Sequence, residues 1–207
     1  MLAEWFPNLV LAWGLQMTGV MSPGPGVALI LGIAVSEGRR SALMACLGIG
    51  CAAILLAVAT VVGLAAIWSE VAGLLTIVRL AGATYLGWLA WTAFRKAINP
   101  PPPPTARRVS GRSSILQGFL MQLINPKALM FWVAIAAVSG LNLAPLPVVV
   151  LFVIGAFAVS FAGHGIWAVA LSSHPFRILY ARARRWIEGL LGCFFALVAF
   201  KLATAEE

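Results

Sequence analysis

Polar residues are so sparse along this chain that they act as punctuation between long apolar runs. The runs fall at about 6–36, 40–67, 72–95, 115–139, 146–170 and 186–203. A helix needs roughly 17–25 apolar residues to cross the hydrocarbon core of a bilayer, and each run reaches that length. Barrel strands would instead give short alternating segments. In lipid, backbone groups must find partners inside the spanning structure. The pattern therefore predicts an all-α integral membrane protein with six transmembrane helices.

Two runs are interrupted. SPGPG at 22–26 and NPK at 125–127 each place a capping side chain before a proline. Ser and Asn are favoured caps, and proline is favoured at the first helical position, where its missing N–H costs nothing. Ser22-Pro23 and Asn125-Pro126 thus read as helix restarts, giving segments 23–36 and 126–139. A shift of 103 positions brings Pro23 onto Pro126, Ala34-Val35-Ser36 onto Ala137-Val138-Ser139, and Arg79 onto Arg182. With three spans per half, the second copy is inserted upside down. The expectation is two inverted three-helix repeats, 1–98 and 115–207, joined by a linker at 99–114. The first and fourth helices are interrupted at proline-containing breaks.

Interrupted helices at corresponding places in inverted halves point to a transporter's binding site. Fourteen helical residues span about 21 Å of a core about 30 Å thick, which puts both restarts near the midplane. Each restart carries unpaired N–H groups and about half a positive charge, a setting suited to a carboxylate. Lys127 adds a full charge. The candidate site is Ser22, Pro23, Gly24, Pro25 and Gly26 together with Asn125, Pro126 and Lys127. The Tyr85 hydroxyl either faces this pocket or fills a helix interface.

Composition removes the soluble classes. Only 10% of residues are charged and 62% are hydrophobic, with a mean hydropathy of +0.99, against about 25% charged in soluble domains. The net charge of +8 does not indicate nucleic acid, because its distribution is one-sided. Arg39, Arg40, Arg95, Lys96 and the arginines of 107–112 and 177–185 all fall in alternate loops. By the positive-inside rule those loops are cytoplasmic and both termini lie outside. The N-terminus has no basic region or cleavage site of a removable signal. NPPPPP at 99–104 is a stiff spacer, and HPFRILYARARRW at 174–186 suits an anionic inner leaflet. Cys46, Cys51 and Cys193 match no metal motif and read as packing residues. No cofactor motif is present. Gly48 with Ala52, Ala59 with Gly63, and Ala83 with Gly87 are small-residue pairs that let helices approach closely.

Titratable chemistry inside the spans is scarce. There is no aspartate, and the glutamates fall at span ends or outside them. His164, in FAGHGIW, is the one group within a span that titrates near physiological pH, so it is the candidate for proton coupling. Its alternative is a neutral histidine bonded to a neighbouring helix. Glu37 and Glu188, at cytoplasmic span ends, are weaker alternatives to His164 and read first as solvated or paired with nearby arginines, and Arg79 reads as snorkelling to the outer surface. An intramembrane hydrolase using Ser139 and His164 is an alternative, although Ser139 falls at a span end. An uncoupled channel for small anionic or zwitterionic solutes is another.

SPGPG at 22–26, GIAVSEGRRSA at 32–42, RLAGATYLGWLAW at 79–91 and GFLMQLINPKALMFW at 118–132 resemble, in order, the motifs of the LysE/RhtB family of amino-acid exporters. The resemblance covers essentially the whole chain. It implies export of amino acids or close derivatives across a bacterial-type inner membrane, driven by proton antiport. The expected partners are the lipid bilayer, an amino acid and protons, and a homo-oligomer is compatible with it. The sequence departs from the family at Gly26, where many members carry Asn or Asp, and in lacking a P-x-F ending after NPK.

Overall fold

The computed structural model describes residues 2–22, 24–70, 74–100 and 113–204, and for 64–70 and 74–79 the backbone only. Pro23, the Arg79 side chain and linker residues 101–112 lie outside it. The helices are α1 (Leu2–Met21), α2 (Pro25–Ser36), α3 (Arg39–Glu70), α4 (Leu74–Ile98), α5 (Ser114–Ile124), α6 (Pro126–Ser139), α7 (Leu146–Leu171) and α8 (His174–Ala203), with a 3-10 turn at Leu141–Leu143.

Three of these helices are long and apolar enough to cross a membrane alone: α3 over Arg39–Gly63, α7 and α8. Two pairs pass that test together, α1 with α2 and α5 with α6, and they are bent by 54° and 59° at their breaks. The two proline-containing interruptions are therefore sharp bends between separate helices. Each second segment also stops in a matching way, at a glycine with positive φ: Gly38 (88°) after α2 and Gly140 (60°) after α6. Glycine reaches this left-handed conformation without steric cost, which is why it follows helix ends.

The fold differs from the sequence expectation in three places. The first restart begins at Pro25, with Gly24 in the cap position and no side-chain cap, so α2 has 12 residues. Its first segment runs on further than expected, because the Ser22 N–H still bonds the Thr18 carbonyl at 2.9 Å. Second, 174–186 is not a loop between spans but the opening of one unbroken 30-residue helix. At 1.5 Å per residue that helix is about 45 Å long and overruns the hydrocarbon core. Third, among the described residues a Cβ at Gly63 or Gly87 would meet nothing within 4 Å, so these two mark no close helix approach there.

Gly48 does mark one. A Cβ there would strike the Ile115 carbonyl of α5, and one at Gly118 would strike backbone at Ala45 of α3. The α3 and α5 backbones touch through this pair of glycines. Elsewhere α1 packs on α6 and α7, α2 on α3 and α7, and α4 on α6 and α8. Leu15, Leu86, Ile135, Phe152 and Phe195 fill the larger core. The outer surface is apolar too: Val62, Ile154, Leu197 and Phe200 are each at least 60% exposed. Apolar patches of that extent are rare on soluble monomers and suit a lipid solvent.

Candidate functional site at the paired helix breaks

The α6 start is built as its sequence reads. Pro126 takes the first helical position, and the Asn125 side chain accepts a hydrogen bond from the Lys127 N–H at 3.1 Å. At the α2 start Pro25 has no N–H, and no side chain caps the residues after it. The N–H groups of Gly26 and Val27 belong to the first turn, which has no intrahelical acceptor to offer them.

Lys127 joins the two breaks. Its ammonium donates to the carbonyls of Ser22 at 2.6 Å and Gly19 at 3.1 Å. The Trp167 indole donates to the Val20 carbonyl at 3.1 Å. The last carbonyls of α1, the negative end of its dipole, are thus satisfied by side chains from the second half of the chain. Glycine at 24 makes this possible. A Cβ there would lie 3.2 Å from Lys127 Cδ and 3.3 Å from its Nζ.

The far wall comes from α1 and α7. The Gln16 amide donates to the Ala156 carbonyl at 2.8 Å and to Ser160 Oγ at 3.0 Å. A carbonyl can only accept, so the amide nitrogen must face α7. His164 Nδ1 lies 2.9 Å from the Ser160 carbonyl and donates to it for the same reason, which leaves Nε2 as the ring atom able to take a proton. Nε2 points at the α2 start, 3.2 Å from where a Gly26 Cβ would stand. A side chain such as Asn or Asp at 26 would press on this histidine.

These groups surround a buried cavity of about 40 Å³. Of the expected residues, Ser22, Gly24, Pro25, Gly26, Asn125, Lys127 and His164 all line it. Pro126 and Tyr85 do not. The Tyr85 hydroxyl reaches the Lys127 carbonyl only at a long 3.4 Å, so it supports the α6 start from behind. Three polar residues of the cavity were not anticipated: Gln16, Gln122 and Ser160. A glutamine in an apolar run is a signal in itself, because an amide in hydrocarbon must find partners.

Of the two readings of Glu188, solvated or paired with an arginine, the structure has the pair. The glutamate is fully buried on α8, with Arg184 Nε 3.9 Å from one oxygen. It lines a second cavity, of about 320 Å³, that shares Ser22, Gly24, Pro25 and Lys127 with the first. The suggested hydrolase pair is not assembled. His164 lies at the α6 start, whereas Ser139 ends that helix twelve residues beyond Lys127, about 18 Å along the axis. The Ser139 carbonyl there accepts from the Asn8 amide at 2.8 Å.

Two bent helix pairs thus bring their breaks together at one cavity inside an apolar helical bundle of membrane-protein type. Residues 17–206 match the LysE type translocator family, and the chain belongs to it; its members are transporters, not enzymes. It is 30% identical over 191 residues to the threonine efflux protein of Escherichia coli (strain K12), covering 87% of this chain and 90% of that one. It is 25% identical over 190 residues to the leucine efflux protein of Enterobacter sp. (strain 638), covering 89% and 90%. No solved structure matches it significantly.

Proposed function

We propose that this protein exports a small amino acid or close derivative from the cytoplasm, binding the substrate carboxylate where α2 and α6 begin. One observation carries the reading: both helix starts and Lys127 line a single cavity. The first-turn N–H groups of α2, two helix dipoles and one ammonium together favour an anion. Relatives named for threonine and leucine efflux favour a neutral amino acid as its owner. His164, on the same cavity, takes and releases the coupled proton at Nε2, making the exporter a proton antiporter.

The framework proposed for this activity is six crossings in two inverted triplets. The helix α4, 25 residues and so about 38 Å long, supplies the crossing beyond the three single helices and two bent pairs. Inverted copies should exchange their contacts, and several pairs do. The α3–α5 contact answers to α1–α7, and α2–α7 answers to α3–α6. Charge asymmetry puts the basic loops and the 99–114 linker in the cytoplasm of a bacterial cell, with both termini outside.

Purified protein in liposomes loaded with labelled amino acids tests the reading. Saturable release of threonine or another neutral amino acid, faster under an imposed pH gradient, is expected. Release that never saturates would make it a channel, and no release of any amino acid would overturn it. Within the site, Ser22→Ala combined with Asn125→Ala is expected to raise the KM for efflux, and unchanged kinetics would remove the carboxylate from this position.

A further inference from the structure

We propose that Glu188 recognises the α-ammonium of the exported amino acid, within the larger cavity that adjoins the central one. The proposal rests on the reading above, in which the carboxylate lies at the starts of α2 and α6.

Size favours the larger cavity for the body of the substrate. A void of about 40 Å³ holds a few waters at most, whereas the adjoining vestibule of about 320 Å³ admits a small amino acid. The vestibule is lined by charges of both signs: Lys127, which with the α2 start is shared with the central cavity, Lys96, and the carboxylate Glu188. Trp88, Leu89 and Phe195 add apolar lining. A zwitterion with its carboxylate at Lys127 finds a carboxylate in the same cavity for its ammonium and apolar surface for its side chain.

Glu188 is prepared for such a guest. Among the described residues neither of its oxygens accepts a hydrogen bond, although the side chain is fully buried. Its charged neighbours are Arg184 on α8, Lys96 on α4 and Lys127 on α6, and Arg184 Nε at 3.9 Å is beyond hydrogen-bond range. A buried carboxylate left in this state is costly, and within a membrane such groups mark substrate or ion pathways. An ammonium brings three donors to it.

The vestibule borders another cavity toward the basic face. A third cavity, of about 300 Å³, is lined by Thr92, Arg95, Lys96 and Asn99 at the end of α4. It shares Thr92 and Lys96 with the vestibule. An exporter must collect its substrate from the cytoplasm, the side to which the positive-inside rule assigns Arg95 and Lys96.

The test uses the full-length protein in liposomes, with L-threonine as substrate and N-acetyl-L-threonine, which lacks the ammonium, as competitor. Wild type should export threonine and be inhibited far less by the acetylated compound than by unlabelled threonine. Glu188→Gln should raise the KM for threonine roughly tenfold or more, as expected for losing a charged hydrogen-bond partner, and erase the discrimination between the two competitors. Glu188→Asp should retain it. Unchanged KM with discrimination intact overturns the proposal, as does loss of pH-gradient stimulation at unchanged KM.

Should the glutamine variant fail to fold, Thr92→Cys in a chain with Cys46, Cys51 and Cys193 replaced by serine reads the vestibule directly. A cationic thiol reagent applied from the cytoplasmic side should block efflux, and saturating threonine should protect. Absence of protection overturns the proposal. A wild type that releases no amino acid fails the export reading itself. A wild type that exports normally beside an unaffected Glu188→Gln fails this inference alone.

Discussion

The Lys127 ammonium donates 2.6 Å to the carbonyl of Ser22, so the start of one broken helix holds the end of the first segment of the other. A second proton goes to the Gly19 carbonyl at 3.1 Å. An ammonium has three donors, which leaves one for a substrate anion.

Lys127→Met removes both anchors and the charge together. Carbonyls stranded in a buried site cost about 1–3 kcal/mol each, so the variant should be about 2–6 kcal/mol less stable and inactive in efflux. Thermal unfolding in detergent checks the first part. An unchanged melting temperature would mean that the two breaks are held together by something else.

How far the sequence disclosed this site depended on range. Asn125 was legible because its cap bond reaches only two residues ahead, a local motif with fixed spacing. The α2 start moved two residues because 22–26 offers two prolines and Pro25, not Pro23, takes the first turn. The Lys127–Ser22 and Gln16–Ser160 bonds span 105 and 144 positions, and no periodicity encodes such pairings. The arginine beside Glu188 was legible from their spacing of four residues, but the full burial of Glu188 was not. Its burial follows from α8 continuing as one helix against α4.

Gly118→Val should be among the most damaging single changes outside the cavity. The atoms in the way are Ala45 backbone, which cannot step aside as a flexible side chain can. Overpacking of this kind costs about 3 kcal/mol or more, and α3 and α5 should separate. Gly87→Ala should be harmless, since its Cβ points into open space and alanine is the better helix former by about 1 kcal/mol. Melting curves of the two variants should move in opposite directions. Equal losses would contradict the glycine contact.

Gln16→Leu keeps the volume and deletes two bonds from α1 to α7. Its acceptors, the Ala156 carbonyl and Ser160 Oγ, keep helical partners or can rotate, so the loss should be modest, about 1–2 kcal/mol. A melting temperature at or above that of wild type would show that the amide bonds contribute nothing net.

His164→Ala separates coupling from binding. Among the described residues the ring makes one hydrogen bond, to Ser160 on its own helix, and holds no neighbouring helix by a polar contact, so its removal should leave the fold intact. Nε2 faces the α2 start across Gly26. There a proton on the ring would repel the positive end of that helix, and its loss would relieve the repulsion. The antiport reading therefore predicts that His164→Ala still exchanges labelled for unlabelled amino acid across the membrane, at a KM within about threefold of wild type. Stimulation by an imposed pH gradient should vanish. Gradient-driven efflux that survives the substitution would clear His164 of the proton and leave it a packing residue of the cavity wall.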